Sequence, residues 1–305
     1  MWIKFAIALL PIIWLIISLG VMRMPAARAC VIGLVLTIVL AIFSFKLPVL
    51  DTMTGALEGI IMGIWPIMFV IVMALFAYNV TTESGGMKII QNMLATISTD
   101  KRIIVLIIAW GFGGFLESIA GFGTAVAIAA GILIAFGLDP IRASVISLIA
   151  NTTATAFGAI GLPILTLAEV TNLKQENLSF IVTLQLFVLV VLVPFILVIL
   201  TEGSIKAVKG VGLITLMSGL GMAIPQVIAA KFVGAELPAI VGSLCSIAIT
   251  VLFTRWHEDE EESDVERPST NEMLKACSPF ILVFIFVIFA SSLVPAVNNL
   301  LNKVT

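Results

Sequence analysis

The chain has 305 residues, of which 61% are hydrophobic and 11% are charged, and its formal net charge is −2. This composition excludes a water-soluble globular domain and is typical of a polytopic helical membrane protein. No basic patch supports nucleic-acid binding. The three cysteines, Cys30, Cys245 and Cys277, lie in separate apolar segments without paired spacing. They therefore predict neither a disulfide framework nor a metal site, and no cofactor is expected.

Windows of membrane-spanning length predict about ten apolar segments. In chain order they cover roughly residues 5–22, 29–45, 59–80, 103–117, 120–138, 143–168, 180–200, 211–230, 237–255 and 278–297. The first segment is longer than the apolar core of a secretory signal, so it is interpreted as a span. The predicted fold class is all-α: about ten transmembrane or re-entrant helices, with broken helices near the membrane midplane.

The distribution of lysine and arginine predicts the orientation of the chain. Eleven of the sixteen basic residues fall in alternate loops, which are expected on the cytoplasmic side. These eleven are Arg23, Arg28, Lys88, Lys101, Arg102, Arg142, Lys206, Lys209, Arg255, Arg267 and Lys275. The amino terminus is therefore predicted outside. Because Arg142 stays inside, segments 103–117 and 120–138 must together return to the side on which they start.

Two apolar segments carry residues that disturb a regular helix. Residues 111–124 read GFGGFLESIAGFGT, and residues 148–163 read LIANTTATAFGAIGLP. Polar side chains and repeated glycines are costly in hydrocarbon unless they line a cavity or handle a solute. Short, glycine-interrupted spans indicate discontinuous helices, and glycines with a proline predict a second break within 151–163.

Helices that restart at Thr124 and near Thr153 would point their amino-terminal N–H groups into the membrane. Such groups can hold a carboxylate without a buried cation. Hydroxyl and amide side chains beside them can bind a hydroxyl group on the same solute. The predicted substrate-binding residues are Gly121, Gly123, Thr124, Asn151, Thr152 and Thr153. The alternative for the Asn-Thr-Thr cluster is hydrogen bonding between helices.

Glu117 is the candidate for proton coupling. A carboxylate is unfavourable in a site of low dielectric constant, so this side chain is expected to exchange protons. The alternative is a structural glutamic acid that is hydrogen-bonded to Asn151 or to a helix break.

The motifs resemble the L-lactate permease family. The resemblance is carried by AWGFGGFLESIAGFGTAVAI at 109–128, by LIANTTATAFGAIGLP at 148–163 and by GIIMGIWP at 59–66. It implies proton-linked symport of lactate and related 2-hydroxy monocarboxylates such as glycolate, in the bacterial plasma membrane. One departure is Ala125, where the family usually carries proline.

The resemblance covers the amino-terminal half to two-thirds of a family member. The expected organisation is a single transmembrane transport domain, 1–305. Within it, about 1–200 form the first repeat of an inverted-repeat transporter, 201–305 hold further spans, and 257–275 form an acidic cytoplasmic loop. Transporters of this kind place the solute between two repeats. A second polypeptide, or another copy of the chain, would then have to supply the missing repeat.

Transport of L-lactate, D-lactate or glycolate with protons is the favoured function, and the expected partners are these carboxylates, protons and membrane lipid. A truncated, non-transporting membrane fragment or subunit is the alternative. An enzyme is not expected, because the sequence has no His-Glu-x-x-His or Gly-x-Ser-x-Gly motif.

Overall fold

Every regular element of the described chain is a helix, which confirms the predicted all-α class. The computed structural model describes residues 2–95, 97–121, 123–257, 269–290, 294 and 297. Seven helical runs in these ranges are long and apolar enough to cross a membrane. They are Lys4–Val21, Ala26–Phe43, Lys101–Ile119, Pro140–Glu169, Gln175–Glu202, Gly212–Phe232 and Pro238–Trp256. The chain is therefore a multi-pass membrane protein.

The three other predicted segments differ from simple spans. The segment 120–138 contains only a short apolar helix, and 59–80 is divided by the irregular stretch Gly63–Met68. The segment 278–297 overlaps a helix that ends at Ala290, and most of its remainder lies outside the described residues. Most of the predicted acidic loop, 257–275, also lies outside them.

The chain divides into two compact units, residues 1–69 and 70–305. The first unit contains α1 (Trp2–Ile16), α2 (Ala26–Phe43) and α3 (Val49–Met62). The Trp14 indole donates a hydrogen bond of 3.1 Å to the Ala29 carbonyl, which ties α1 to α2.

The second unit contains the candidate site. Its helices are α4 (Phe69–Glu83), α5 (Gly86–Ala95), α6 (Lys101–Val105), α7 (Gly113–Ala120), α8 (Thr124–Ala135), α9 (Pro140–Ala154), α10 (Gly158–Thr171), α11 (Gln175–Glu202), α12 (Gly212–Phe232), α13 (Pro238–His257) and α14 (Thr270–Ala290). A π-helical stretch, Leu106–Phe112, joins α6 to α7. This run is the most buried of the spans, so it forms the centre of the unit.

The start of the α6–α7 run and the end of α8 lie at the same side of the unit. The Lys101 ammonium group, at the start of α6, donates a hydrogen bond of 3.0 Å to the Gly137 carbonyl, just beyond the end of α8. The chain therefore enters and returns on one side, as the position of Arg142 predicts.

Two arginines fix the end of α11 at this same side. Arg102 lies 3.5 Å from Glu202 Oε1 and donates a hydrogen bond of 2.7 Å to the Ala207 carbonyl. Arg142 donates a hydrogen bond of 3.0 Å to the Thr201 carbonyl. Cations are favourable beside the terminal carbonyl groups of a helix. We call this end of the unit the basic face. It is defined by Arg102, Arg142, Thr201, Glu202 and Ala207.

The start of α10 is strained. Ala159, Ile160 and Gly161 all adopt left-handed backbone angles, with φ of 46°, 60° and 78°. This conformation is unfavourable for a residue with a β-carbon, and most of all for the β-branched Ile160. The turn between α12 and α13 packs on this segment, because a β-carbon on Gly161 would overlap the carbonyl of Ala235. The tightness of this contact requires glycine at position 161.

Gly161→Ala should therefore lower the free energy of unfolding. Backbone strain alone costs about 1–3 kcal/mol, and the steric overlap adds to it. The unfolding midpoint of the purified protein in lipid nanodiscs measures this effect. Gly131→Ala is the matched control, because Gly131 lies inside α8 with open space around it. Equal stability of the two variants would contradict the close approach of Ala235.

The start of α14 is closed by a reciprocal pair of hydrogen bonds. The Ser269 N–H and hydroxyl both donate to Glu272 Oε2 at 2.9 Å, and the Glu272 N–H donates to the Ser269 hydroxyl oxygen at 3.3 Å. This arrangement is a capping box. The bonds from the Ser269 backbone and then from its hydroxyl lower the pKa of Glu272 below its ordinary value.

Because the folded pKa of Glu272 is lowered, its contribution to helix stability is present above the ordinary glutamate pKa of about 4.3. That contribution is lost as the pH falls through the lowered pKa. Protection of the first-turn amides of α14 against hydrogen exchange, corrected for intrinsic rates, should fall over this range. Glu272→Gln should flatten the pH dependence, and an unchanged profile in this variant would refute the role of the carboxylate.

Candidate functional site

The first helix break lies where the glycines predict it. The helix α7 ends at Ala120, and α8 begins at Thr124. Between them, Gly121 and Gly123 adopt φ of 63° and 76°, which residues with a β-carbon rarely adopt. The predicted restart at Thr124 is confirmed.

The earlier glycines of the same motif do not break the helix. The chain from Lys101 to Ala120 is continuously helical, with a widened π-helical stretch before Gly113. A β-carbon on Gly111 would overlap Ile247, and one on Gly114 would lie 2.8 Å from Ser243 Oγ. The predicted discontinuity therefore applies to Gly121 and Gly123, whereas Gly111 and Gly114 allow α13 to pack closely.

The second break lies within 151–163, as the sequence predicts, but the helix does not restart where it was expected. The helix α9 continues to Ala154, a 3₁₀ turn follows, and Gly158 is extended with ψ of 160°. Regular helix resumes only after Gly161. The expected restart near Thr153 is wrong, because the polar side chains here do not interrupt the helix. The Thr155 hydroxyl, for example, donates to the Asn151 carbonyl at 2.8 Å, within the helix.

The two breaks meet. A β-carbon on Gly121 would lie 2.8 Å from the Ala159 nitrogen, and one on Gly158 would lie 3.1 Å from Glu117 Oε1. A side chain at Gly121 would displace the backbone of the opposite break, whereas one at Gly158 would require a small shift of the Glu117 carboxyl group. Gly158 was not among the predicted site residues. The glycines at 158 and 161, followed by Pro163, nevertheless predict the break to which it belongs.

Glu117 lies at this meeting point and is 1% exposed. The Gly123 N–H donates to its Oε2 at 3.3 Å, so the carboxyl group lies at the amino-terminal end of α8. The Asn151 side chain lies near Glu117, and its amide nitrogen donates to the Thr155 hydroxyl at 3.3 Å. The helix terminus that was predicted to receive a solute carboxylate therefore binds a carboxyl group of the chain itself.

The Asn-Thr-Thr cluster forms the last turn of α9, whose terminal carbonyl groups favour hydrogen-bond donors. Asn151 Oδ1 and Thr153 Oγ1 are buried and have no hydrogen-bond partner within the described ranges. Thr152 is exposed, and its hydroxyl donates to the Ile149 carbonyl at 2.7 Å.

The structure thus brings Glu117, Gly121, Gly123 and Asn151 together. Thr124 supplies the first residue of α8, and Thr152 points away from the cluster's buried atoms. Over the residues that the structure describes, no group of three or more His, Cys, Asp and Glu side chains is arranged to hold a metal ion.

Comparison with known proteins agrees with these motifs. The L-lactate permease family profile matches residues 4–305. An L-lactate permease of Streptococcus iniae is 54% identical over 301 residues, which cover 98% of this chain and 64% of that protein. Glycolate permease GlcA of Escherichia coli (strain K12) is 36% identical over 92% of this chain and 54% of its own length. No solved structure gives a significant match.

An L-lactate permease of Bacillus subtilis (strain 168) is 34% identical over 90% of this chain and 52% of its own length. The chain therefore spans about half to two-thirds of the length of the curated relatives it matches. The family profile nevertheless covers nearly all of the chain. The chain belongs to the L-lactate permease family.

Proposed function

We propose that the chain takes part in the transport of small 2-hydroxy monocarboxylates, L-lactate and also D-lactate and glycolate, together with protons. The observation that carries this proposal is the buried carboxyl group of Glu117 at the amino terminus of α8, next to a turn of α9 with unpaired polar atoms. The relatives' names, L-lactate permease and glycolate permease, support the substrate class.

Competition for one helix terminus provides the coupling between proton and solute. Two carboxylates at the amino end of α8 would repel each other strongly in a medium of low dielectric constant. A proton on Glu117 removes its charge, so the N–H groups of α8 can bind the carboxylate of the solute instead. Uptake of the solute and uptake of one proton then favour each other, and loss of the proton returns Glu117 to Gly123.

The last turn of α9 would recognise the hydroxyl group of the solute. Asn151 Oδ1 accepts hydrogen bonds, whereas the Thr153 hydroxyl both donates and accepts. Both atoms are buried without a partner in the described chain. A 2-hydroxy acid satisfies them, and the corresponding acid without a hydroxyl group leaves them unpaired. In this proposal Gly121, Gly123 and Thr124 hold the carboxylate, and the part played by Thr152 stays a prediction.

The proposed arrangement places the basic face in the cytoplasm and the amino terminus outside, in the plasma membrane of a bacterium. It treats residues 1–305 as one transport domain, with about 1–200 as the first of two inverted repeats. In this arrangement the solute would lie between the first repeat and the second.

An alternative is a membrane subunit that does not transport alone. The matched relatives are longer, since the aligned regions cover 52–64% of them. Such a subunit would insert in the membrane but would neither bind nor move lactate without a partner.

Proteoliposomes that contain the purified chain should accumulate labelled L-lactate when an inward proton gradient is applied. Glu117→Gln should abolish this accumulation and retain lactate–lactate exchange, because the amide imitates the protonated carboxyl group and cannot release a proton. Both activities are measured in the same vesicle preparation.

Glu169→Gln is the control, since Glu169 is an exposed carboxylate at the far end of α10. Wild-type accumulation by Glu117→Gln would remove Glu117 from the coupling. The proposed function would be refuted if the wild-type chain neither bound nor took up lactate, even after the second half of a full-length relative was supplied.

Thr153→Val should weaken the binding of lactate by about 3–10-fold, since it removes one hydrogen bond of about 0.5–1.5 kcal/mol at constant side-chain volume. The binding of propionate, which lacks the hydroxyl group, should change little. Equilibrium binding of both acids in nanodiscs measures the difference. Thr171→Val, at an exposed position whose hydroxyl donates to Leu167, is the control. Equal losses for the two acids would contradict recognition of the hydroxyl group.

A further inference from the structure

A pair of hydrogen bonds sets the direction of the Asn151 side-chain amide. The Thr155 hydroxyl donates to the main-chain carbonyl of Asn151 at 2.8 Å. The same hydroxyl oxygen lies 3.3 Å from the Asn151 side-chain nitrogen, which donates to it. Thr155 is the residue at which α9 ends and the 3₁₀ turn of the second break begins. It therefore contacts both the backbone and the side chain of Asn151.

The chemistry of a hydroxyl group decides which end of the amide faces Thr155. A hydroxyl group has one proton to donate, and the Asn151 carbonyl receives that proton. Toward the Asn151 side chain, Thr155 Oγ1 can therefore only accept. An amide oxygen at this place would face another oxygen with no proton between them. Only the amide nitrogen fits, so Thr155 distinguishes the two ends of the amide.

This orientation leaves Asn151 Oδ1 as the atom that is available to a bound solute. Oδ1 is buried and has no hydrogen-bond partner among the described residues, and the Asn151 side chain lies near Glu117. An amide oxygen accepts hydrogen bonds and cannot donate them. Because a buried acceptor without a partner is costly, a solute that brings a donor to Oδ1 is favoured.

We infer that Thr155 is a positioning residue that fixes the Asn151 oxygen toward the solute, so that the site selects 2-hydroxy acids over 2-oxo acids. This inference rests on the proposed function, because it concerns the same solute site. The hydroxyl group of lactate can donate to Oδ1, whereas the 2-oxo group of pyruvate has only lone pairs to offer. An amide oxygen has two lone pairs, so Oδ1 can also accept from a protonated Glu117.

The wild-type chain provides the first test, which depends on no substitution. L-Lactate and pyruvate share the carboxylate and the carbon skeleton and differ in the group next to the carboxylate. Equilibrium binding in nanodiscs should favour lactate by about tenfold, the order expected for one lost hydrogen bond and one unpaired buried acceptor. Equally tight binding of pyruvate would overturn the inference and leave the proposed function standing.

Thr155→Val provides the second test, since it removes both bonds at nearly constant side-chain volume. Position 155 is exposed, so the change does not disturb the core. The Asn151 amide can then turn its nitrogen toward the solute and donate to a 2-oxo group. Pyruvate should bind about 3–10-fold tighter than it binds to the wild-type chain. A gain of binding cannot result from misfolding. Thr155→Ser keeps the hydroxyl group and should keep the wild-type preference for lactate.

Thr171→Val is the matched control. Thr171 is also exposed, and its hydroxyl donates to the carbonyl four residues earlier, that of Leu167, at 2.6 Å. This variant should leave the preference for lactate unchanged. An unchanged preference in Thr155→Val, or a lost preference in Thr155→Ser, would overturn the role of Thr155. These results differ from failure of the proposed function, in which the wild-type chain binds neither acid.

Discussion

The hydrogen bond between the Gly123 N–H and the Glu117 carboxyl group is the constraint on which the site depends. It closes the amino end of α8 with a side chain from the helix that immediately precedes the break. Without it, the partly buried Gly123 N–H would lose its hydrogen-bond partner, which is costly in a membrane. The same bond keeps Glu117 where a β-carbon on Gly158 would touch it, so one carboxyl group lies beside both breaks.

The breaks are maintained by packing from outside the motifs. The turn between α12 and α13 presses on the left-handed segment Ala159–Gly161, and the Ser179 hydroxyl secures that turn through a 2.8 Å bond to the Gly234 carbonyl. Strained backbone of this kind persists only where its surroundings over-determine it. The hairpin α12–α13 therefore contacts the site at two places. Its turn packs on the second break, and Ser243 of α13 packs against Gly114, which precedes Glu117 in α7.

The sequence predicts the helical class and seven of the spans, because apolar length acts locally. Glycine and charge also act locally, so it predicts the break at Gly121 and Gly123 and the return of the chain at Gly137. The second break lies within the predicted range 151–163, but the residue at which the helix restarts could not be predicted. The Asn-Thr-Thr cluster suggests a terminus, but hydroxyls that bond to their own helix leave α9 intact, and the break depends on contact with Ala235, far away in the chain. The roles of Gly111 and Gly114 were misassigned for the same reason, since tight packing against Ile247 and Ser243 has no signal near those glycines.

In the proposed mechanism, the position of Glu117 at a helix terminus removes the need for a buried cation. A lysine or arginine that attracted the solute carboxylate would attract Glu117 as strongly and would hold both acids ionised. A helix terminus carries only about half an elementary charge, which balances one carboxylate poorly and two not at all. Two unit charges about 4 Å apart repel by about 4 kcal/mol at an effective dielectric constant near 20. A repulsion of that order corresponds to about a thousandfold coupling of protonation to solute binding, and linkage makes the coupling equal in both directions. A helix terminus without a lysine or arginine therefore suits the proposed site, in which one proton accompanies one acid.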